Sequence, residues 1–308
     1  MRIAFLFPGQ GSHDPGLGAA WRDEPSGDVV REIGAVAGLD LVAALDDEAT
    51  GADTAVAQPA IMAASLAASE ALLAEGIEPA FVAGHSLGEV TAAVAAGVFD
   101  ITRGAELVAE RGRAMAAACA SSPGTMAAVI RLGPDDLLHV VGEVPDAVVA
   151  NENAPGQTVV AGPPEAITRV SDLARERGGR VLPLDVEGAF HSPAMTPAVV
   201  RVEAALRRIE SHNPAIPIVS GVDGRVLVSD ADVRKALVDG ILSPVRWVSV
   251  QETLVELGAQ LLIEVGPGKV LTGLAKRTVG DLPTVSVSTP EDVRSLHDRL
   301  PEFTGASR

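Results

Sequence analysis

Phe81-Val82-Ala83-Gly84-His85-Ser86-Leu87-Gly88-Glu89 is an apolar run that meets G-x-S-x-G and passes straight into an alanine-rich helical pattern over 90–96. Strand, tight turn and helix in that order are the setting in which a serine becomes a nucleophile. The small glycines let strand and helix approach closely, so the Ser86 hydroxyl is lifted out at a helix N-terminus, where backbone N–H groups can stabilise an oxyanion. The competing reading of Ser86 is a helix N-cap.

The same alternation recurs along the chain. Apolar runs at 80–83 and 260–265 precede helical patterns at 87–97 and 269–279, and residues 1–9 form a further buried strand stopped by Pro8-Gly9. This predicts an α/β fold with a mainly parallel sheet. The middle reads differently: strands at 125–130, 147–150, 158–161 and 180–184, with helices at 134–141 and 165–177, give the order βαββαβ. That is the split βαβ, ferredoxin-like arrangement. The expected organisation is one discontinuous α/β domain, residues 1–123 and 188–308, with a ferredoxin-like subdomain at 124–187. Ser121-Ser122-Pro123-Gly124 and Glu187-Gly188 mark the joints.

Of 308 residues, 47% are hydrophobic and 21% charged, enough apolar surface to offset the entropy of ordering the chain. Twenty-four basic against 41 acidic residues leave a net charge of −17, which disfavours a nucleic-acid groove and a basic membrane-surface helix. An anionic ligand therefore needs a local basic patch. The lone Cys119 excludes an intramolecular disulfide and a multi-cysteine metal site, and points to a reducing compartment. The opening apolar run is too short for a signal peptide, and Ser65 and Glu70 interrupt the alanine-rich stretch 59–74, so no membrane span is expected. The expectation is a soluble, cytoplasmic protein.

Ser86 needs a base, and six histidines are available. His85 adjoins the nucleophile and must point elsewhere; His139 lies in a helix of the insert, His212 at a helix end, and His297 in a polar C-terminal stretch. His13 follows Pro8-Gly9-Gln10-Gly11-Ser12 and reads as a loop histidine. His191 sits in Gly188-Ala189-Phe190-His191-Ser192-Pro193, a loop of the kind that displays catalytic groups. No carboxylate for a Ser-His-Asp triad stands out; a backbone carbonyl can replace it, since the imidazole N–H needs only an acceptor. In the helical pattern 101–118, Arg111 stacks with Leu107 and Met115 on the apolar face. An inward guanidinium is either a structural ion pair or a fork for a substrate carboxylate. The loop Pro8–Ser12 follows the first strand, so one N–H from it and one from Leu87 would complete an oxyanion hole. It lacks the signatures of a phosphate or dinucleotide loop.

These blocks together resemble the malonyl-CoA:acyl carrier protein transacylases of fatty acid synthesis and the acyltransferase domains of polyketide synthases. They run from FPGQGS (7–12) through QPAI (58–61), GHSLGE (84–89), ERGRAM (110–115), NENAPGQTVVAG (151–162), GAFHSPAM (188–195) and SPVRW (243–247) to EVGPGKVLTGL (264–274). The resemblance implies an α/β-hydrolase-like core with a ferredoxin-like insert. It implies ping-pong transfer of malonyl from coenzyme A to the phosphopantetheine thiol of an acyl carrier protein, the coenzyme A thioester being substrate and no cofactor or metal being bound. By resemblance Ser86 is the nucleophile, His191 the base, Gln10 and Leu87 the oxyanion-hole amides, and Arg111 the clamp on the malonyl carboxylate. Asn151 and Asn153 match an asparagine pair near the cleft, and a carbonyl from the block 243–247 is expected to orient the histidine. Phe190 and Leu87 resemble the malonyl-selective members.

A carrier protein and coenzyme A are both acidic, so basic residues are expected at the cleft mouth despite the global sign. Lys269, Lys276, Arg277 and Arg180 are the candidates, each of which also reads as part of a solvated face. Two other functions fit parts of the sequence: a serine acyl hydrolase, or a transacylase for a non-malonyl unit, shares the elbow, and a non-enzymatic docking module shares the fold. Arg111 argues against clearing neutral acyl chains, and the Ser86–His191 pair against a mere docking module.

Overall fold

The structure is a computed structural model and describes residues 1–304. Among the described residues ten strands form two sheets: β1 (Ile3–Phe7), β2 (Phe81–Gly84), β3 (Thr125–Ile130), β4 (Val148–Ala154), β5 (Gln157–Gly162), β6 (Arg180–Pro183), β7 (Ile218–Val219), β8 (Val226–Leu227), β9 (Leu261–Val265) and β10 (Thr284–Val287). The larger sheet has the order β10-β9-β1-β2-β7-β8 and is parallel except for β8. Every residue of β1 and β9 is buried, as strands covered by helices on both faces require; the one charge among them, Glu264 in β9, accepts from the Leu271 and Thr272 N–H groups. Pairing of Phe7 with Gly84 brings the carboxyl ends of β1 and β2 level, so the loop after β1 lies beside the turn that holds Ser86. Ligands of open parallel sheets bind at this end.

The helix Thr54–Ala74 is long and apolar enough to cross a bilayer despite Ser65 and Glu70, but 78% of its most apolar stretch is buried inside the fold. It packs against the helices Ile101–Ser121 and Asp28–Ala37 and so serves as the central helix of one layer. Its N-terminus is capped by the Asp53 carboxylate, which accepts from Ala55 N–H at 2.9 Å.

The second sheet has the order β4-β5-β3-β6 and is antiparallel, the strand order of a ferredoxin-like unit. Alternation along β3 gives the sheet two apolar faces. Ala127 and Val129 pack with the helices Pro134–Gly142 and Pro164–Glu176, whereas Met126 and Ala128 face a cavity shared with the larger part. The molecule is thus an α/β-hydrolase-like core with a ferredoxin-like subdomain. Strand β4 runs to Ala154, beyond the expected 147–150: it pairs with β5 as far as Ala154 opposite Gln157, and the larger part bridges its other edge. Val245 N–H donates to Ala150 O at 2.9 Å and Glu152 N–H to Val245 O at 2.8 Å. Asn151, Glu152 and Asn153 are poor strand formers, so their own sequence does not announce this extension. The C-terminal stretch expected to be merely polar is a helix, Pro290–Thr304.

Candidate active site

The turn after β2 is built on two glycines that tolerate no side chain. A Cβ on Gly84 would fall 1.9 Å from the Gly88 carbonyl carbon, and one on Gly88 would fall 2.1 Å from the Phe7 carbonyl oxygen. Between them Ser86 adopts φ 54°, a left-handed conformation costly for a side-chain-bearing residue. The turn thrusts Ser86 up at the start of the helix Gly88–Ala95. His191 also has a left-handed backbone, φ 58°, and is 4% exposed. Its Nε2 lies 2.9 Å from Ser86 Oγ, and its Nδ1 lies 2.8 Å from the Gly240 carbonyl oxygen. Nδ1–H donating to Gly240 leaves Nε2 as the acceptor for the serine proton. Burial, then the nearby Arg111 charge, lowers the His191 pKa to about 3, with the Gly240 carbonyl opposing. The imidazole is therefore a neutral base across the physiological range.

Arg111 projects from the helix Ile101–Ser121 and is 4% exposed. One guanidinium nitrogen donates to Gln58 Oε1 at 2.6 Å and the other to Ser86 Oγ at 3.2 Å. Among the described residues it makes no ion pair with a carboxylate within 4.0 Å. Desolvation lowers its pKa to about 10, with Glu89 holding it up, so it remains charged. The arrangement presents a dry cation beside a nucleophile.

Both groups open into a cavity of about 280 Å³ between the two sheets. Its floor is Gly9, Gln10, Ser86, Leu87, Arg111 and His191; the small sheet contributes Met126, Ala128, Asn151 and Asn153; Phe190 and Val270 close the sides. Neither Gln10 N–H nor Leu87 N–H donates to another group among the described residues, which leaves both amides at the floor for an oxyanion. The Gln10 side chain is tied to Thr54 Oγ1 at 2.9 Å, fixing the loop. Asn153 Oδ1 accepts from His85 Nε2 at 2.8 Å, and the His85 ring packs edge-on to Trp247 with centroids 5.4 Å apart. His85 is thus a packed residue, as expected, but one that joins the elbow to the small sheet and lines the cavity.

The matched residues range along nearly the whole chain: a description of the acyl transferase domain fits residues 4–297. The chain belongs to the acyl transferase family. This acyl transferase is 35% identical over 312 residues to the malonyl CoA-acyl carrier protein transacylase of Bacillus subtilis, covering 98% of each. It is 36% identical over 299 residues to that of Escherichia coli K12, covering 94% of this chain and 96% of the relative. Among solved structures it matches the Synechocystis malonyl-CoA:ACP transacylase with a TM-score of 0.90 at 33% identity, over 96% of this chain and all of that one. A malonyl-transacylase in complex with a type II PKS acyl-carrier protein matches with a TM-score of 0.91 at 35% identity, over 97% of this chain and all of that one.

The orienting carbonyl is not where the resemblance put it. Gly240, outside the block 243–247, supplies it, and Ser243 adds only a weaker backbone interaction. Any residue type can offer a carbonyl, so no side-chain signal marks Gly240. The other histidines lie elsewhere: His13 bonds Asp47 O at 2.8 Å, His139 bonds Asp135 O at 2.8 Å, His297 sits 3.4 Å from Glu75, and His212 donates its backbone N–H to Val98 O at 3.0 Å. Of the basic candidates, Lys269 and Lys276 are exposed on and just before the helix Val270–Thr278, whose Val270, Leu271 and Leu274 line the cavity. Arg277 reaches across to the Gln157 side chain and to Pro155 O at 3.5 Å, at the tip of the β4–β5 hairpin. Arg180 lies opposite Ile130 at the end of β6 remote from the cavity-lining Leu184, and does not line the cavity.

Proposed function

We propose that this acyl transferase is an acyl-carrier-protein S-malonyltransferase: it moves malonyl from coenzyme A to the phosphopantetheine thiol of an acyl carrier protein, through an acyl-Ser86 intermediate, in fatty acid or polyketide synthesis. The observation that carries the reading is Arg111, a buried guanidinium 3.2 Å from the nucleophile's oxygen with no carboxylate within 4.0 Å among the described residues. A planar fork in that position suits the free carboxylate of a dicarboxylic acyl group. The names of the curated relatives agree with it.

In the first half-reaction Ser86 Oγ–H passes its proton to His191 Nε2 as the oxygen attacks the thioester carbonyl. The developing oxyanion takes hydrogen bonds from the Gln10 and Leu87 N–H groups, and His191 returns the proton to the departing coenzyme A sulfur. In the second, the carrier thiol gives its proton to His191 and attacks the acyl-serine carbonyl; the released Ser86 oxygen takes the proton back. The reading uses the coenzyme A thioester as substrate, invokes no resident cofactor, and places the enzyme in the cytoplasm. Phe190 stands beside His191 and crowds the acyl α-carbon, while Asn151 and Asn153 form the opposite wall. Lys269, Lys276 and Arg277 offer the carrier protein a basic rim.

Intact-mass measurement after exposure to malonyl-CoA tests it. The wild type should gain one malonyl mass that a phosphopantetheinylated carrier protein removes, and Ser86→Ala should gain none. An adduct that water clears as fast without carrier would make the protein a hydrolase; labelling that persists in Ser86→Ala would remove the nucleophile.

A further inference from the structure

Beneath the serine lies a second ionisable group that the transfer steps do not use. Glu89 is in the first turn of the helix Gly88–Ala95 and is 4% exposed. Its Oε1 accepts from Gly221 N–H at 3.0 Å. Its Oε2 lies between Gly221 and Gly240, since a Cβ on either glycine would come within 3.6 Å of it. The Gly240 carbonyl is the one that holds His191. Glu89, Arg111 and Ser86 share the wall of one small pocket of about 10 Å³. No cation pairs with Glu89 within 4.0 Å among the described residues, and Arg111 is the cation that acts on it most strongly.

We propose that Glu89 is the counter-charge of Arg111 in the empty enzyme, acting across the shared pocket without direct contact, and takes up a proton from solvent when a substrate carboxylate binds the guanidinium. The inference rests on the reading of Arg111 as a carboxylate clamp. Its physical basis is charge balance in a dry site. One buried cation compensates one carboxylate; a second carboxylate beside it leaves an uncompensated buried anion, and protonation is the cheapest way to remove that charge. Glu89 is the group free to accept the proton, because the substrate carboxylate has the direct contact with Arg111. Burial already pushes the Glu89 pKa up to about 7, against hydrogen bonds from Gly221 and Ser220 and the Arg111 charge. The other charged group that acts on it is Asp223, which raises it further.

The consequence is a pH-dependent choice of substrate. Below pH 7 Glu89 is already protonated and malonyl binds without proton uptake; above it, binding must draw a proton in, and the malonyl preference weakens. Acetyl-CoA has no carboxylate and draws none. The ratio of kcat/KM for malonyl-CoA to that for acetyl-CoA cancels the titration of coenzyme A phosphates and of any group common to both reactions. That ratio should fall about fiftyfold between pH 7 and pH 9 in the wild type. In Glu89→Gln, which keeps an acceptor for Gly221 N–H and carries no charge, the ratio should stay at its low-pH value throughout. Calorimetry of malonyl-CoA binding to Ser86→Ala at pH 8, in buffers of different ionisation heat, should report uptake of about one proton per site. A Glu89 that only props the Gly221 and Gly240 loops would leave the wild-type ratio flat with pH and show no uptake, and either result overturns the inference without needing the variant to fold. If Arg111→Ala leaves the ratio at neutral pH unchanged, the clamp reading itself fails; if that ratio collapses while the wild-type profile is flat, only the role of Glu89 is lost.

Discussion

Replacing Arg111 with alanine separates a structural arginine from one that serves the substrate, because the two roles load different quantities. A guanidinium that neutralised an internal carboxylate would leave it buried and unpaired, at a cost of about 3–5 kcal/mol. Here the direct partners are the Gln58 carbonyl oxygen at 2.6 Å and the Ser86 hydroxyl at 3.2 Å, both neutral. Truncation orphans one buried acceptor, worth about 1–3 kcal/mol. Glu89 loses a favourable neighbour but, with a pKa already near 7, it protonates and limits the penalty. At about 2–4 °C per kcal/mol for a domain of this order of size, the melting temperature should drop by about 2–12 °C. Transfer of malonyl loses a charge-assisted, desolvated contact worth about 2–5 kcal/mol. At about 1.4 kcal/mol per decade this is roughly thirtyfold to a few thousandfold in kcat/KM. Acetyl transfer, with no carboxylate to strand, should be spared. The assay is a melting curve beside the malonyl-to-acetyl ratio of kcat/KM for both proteins. A large loss of melting temperature with an unchanged ratio would refute the argument and return Arg111 to a structural role.

Phe190→Ala should open the side of the cavity next to the acyl α-carbon; selectivity for malonyl-CoA over methylmalonyl-CoA should fall by about tenfold, within the 1–3 kcal/mol that one methyl group is worth, and competition kinetics with the two thioesters would read it. Reversing the rim charges with Lys276→Glu and Arg277→Glu should raise the KM for carrier protein about tenfold and flatten its dependence on salt, an order set by two exposed charge contacts. An unchanged KM would assign both side chains to solvated surface.

Much of this protein is legible in its sequence because the deciding constraints are local. The elbow needs only an apolar strand, two glycines and a helix, and the run 81–89 carries all three. The βαββαβ order follows from patterns of period about 2 and about 3.6 that each segment shows by itself, and Arg111 betrays its inward direction by stacking with Leu107 and Met115 one turn apart. Helix periodicity, however, reports only that an arginine faces inward, not what it meets. That choice fell to the Gln58 side chain 53 residues away, which meets the guanidinium only when the helices Thr54–Ala74 and Ile101–Ser121 pack together.

The same limit applies to the rest of the site. His191 lies 105 residues from Ser86, and its loop context favours it over His13 without showing that its ring reaches the serine, which only the folded chain decides. Gly240 orients it through a backbone carbonyl, a group every residue owns, so only position in space could select it. Strand β4 extends past Ala150 along β5 through two register shifts, and its other edge is bonded to Val245, a partner its own composition cannot supply. Glu89 carries a charge that the sequence displays openly beside the nucleophile, but whether that charge is solvated or buried against Arg111 depends on the closing of the 220–222 and 240 loops over it. Periodicity, glycine sterics and turn chemistry act between near neighbours and are written along the chain; burial, charge compensation and hydrogen bonds to backbone act between segments brought together by folding, and tertiary structure alone decided them.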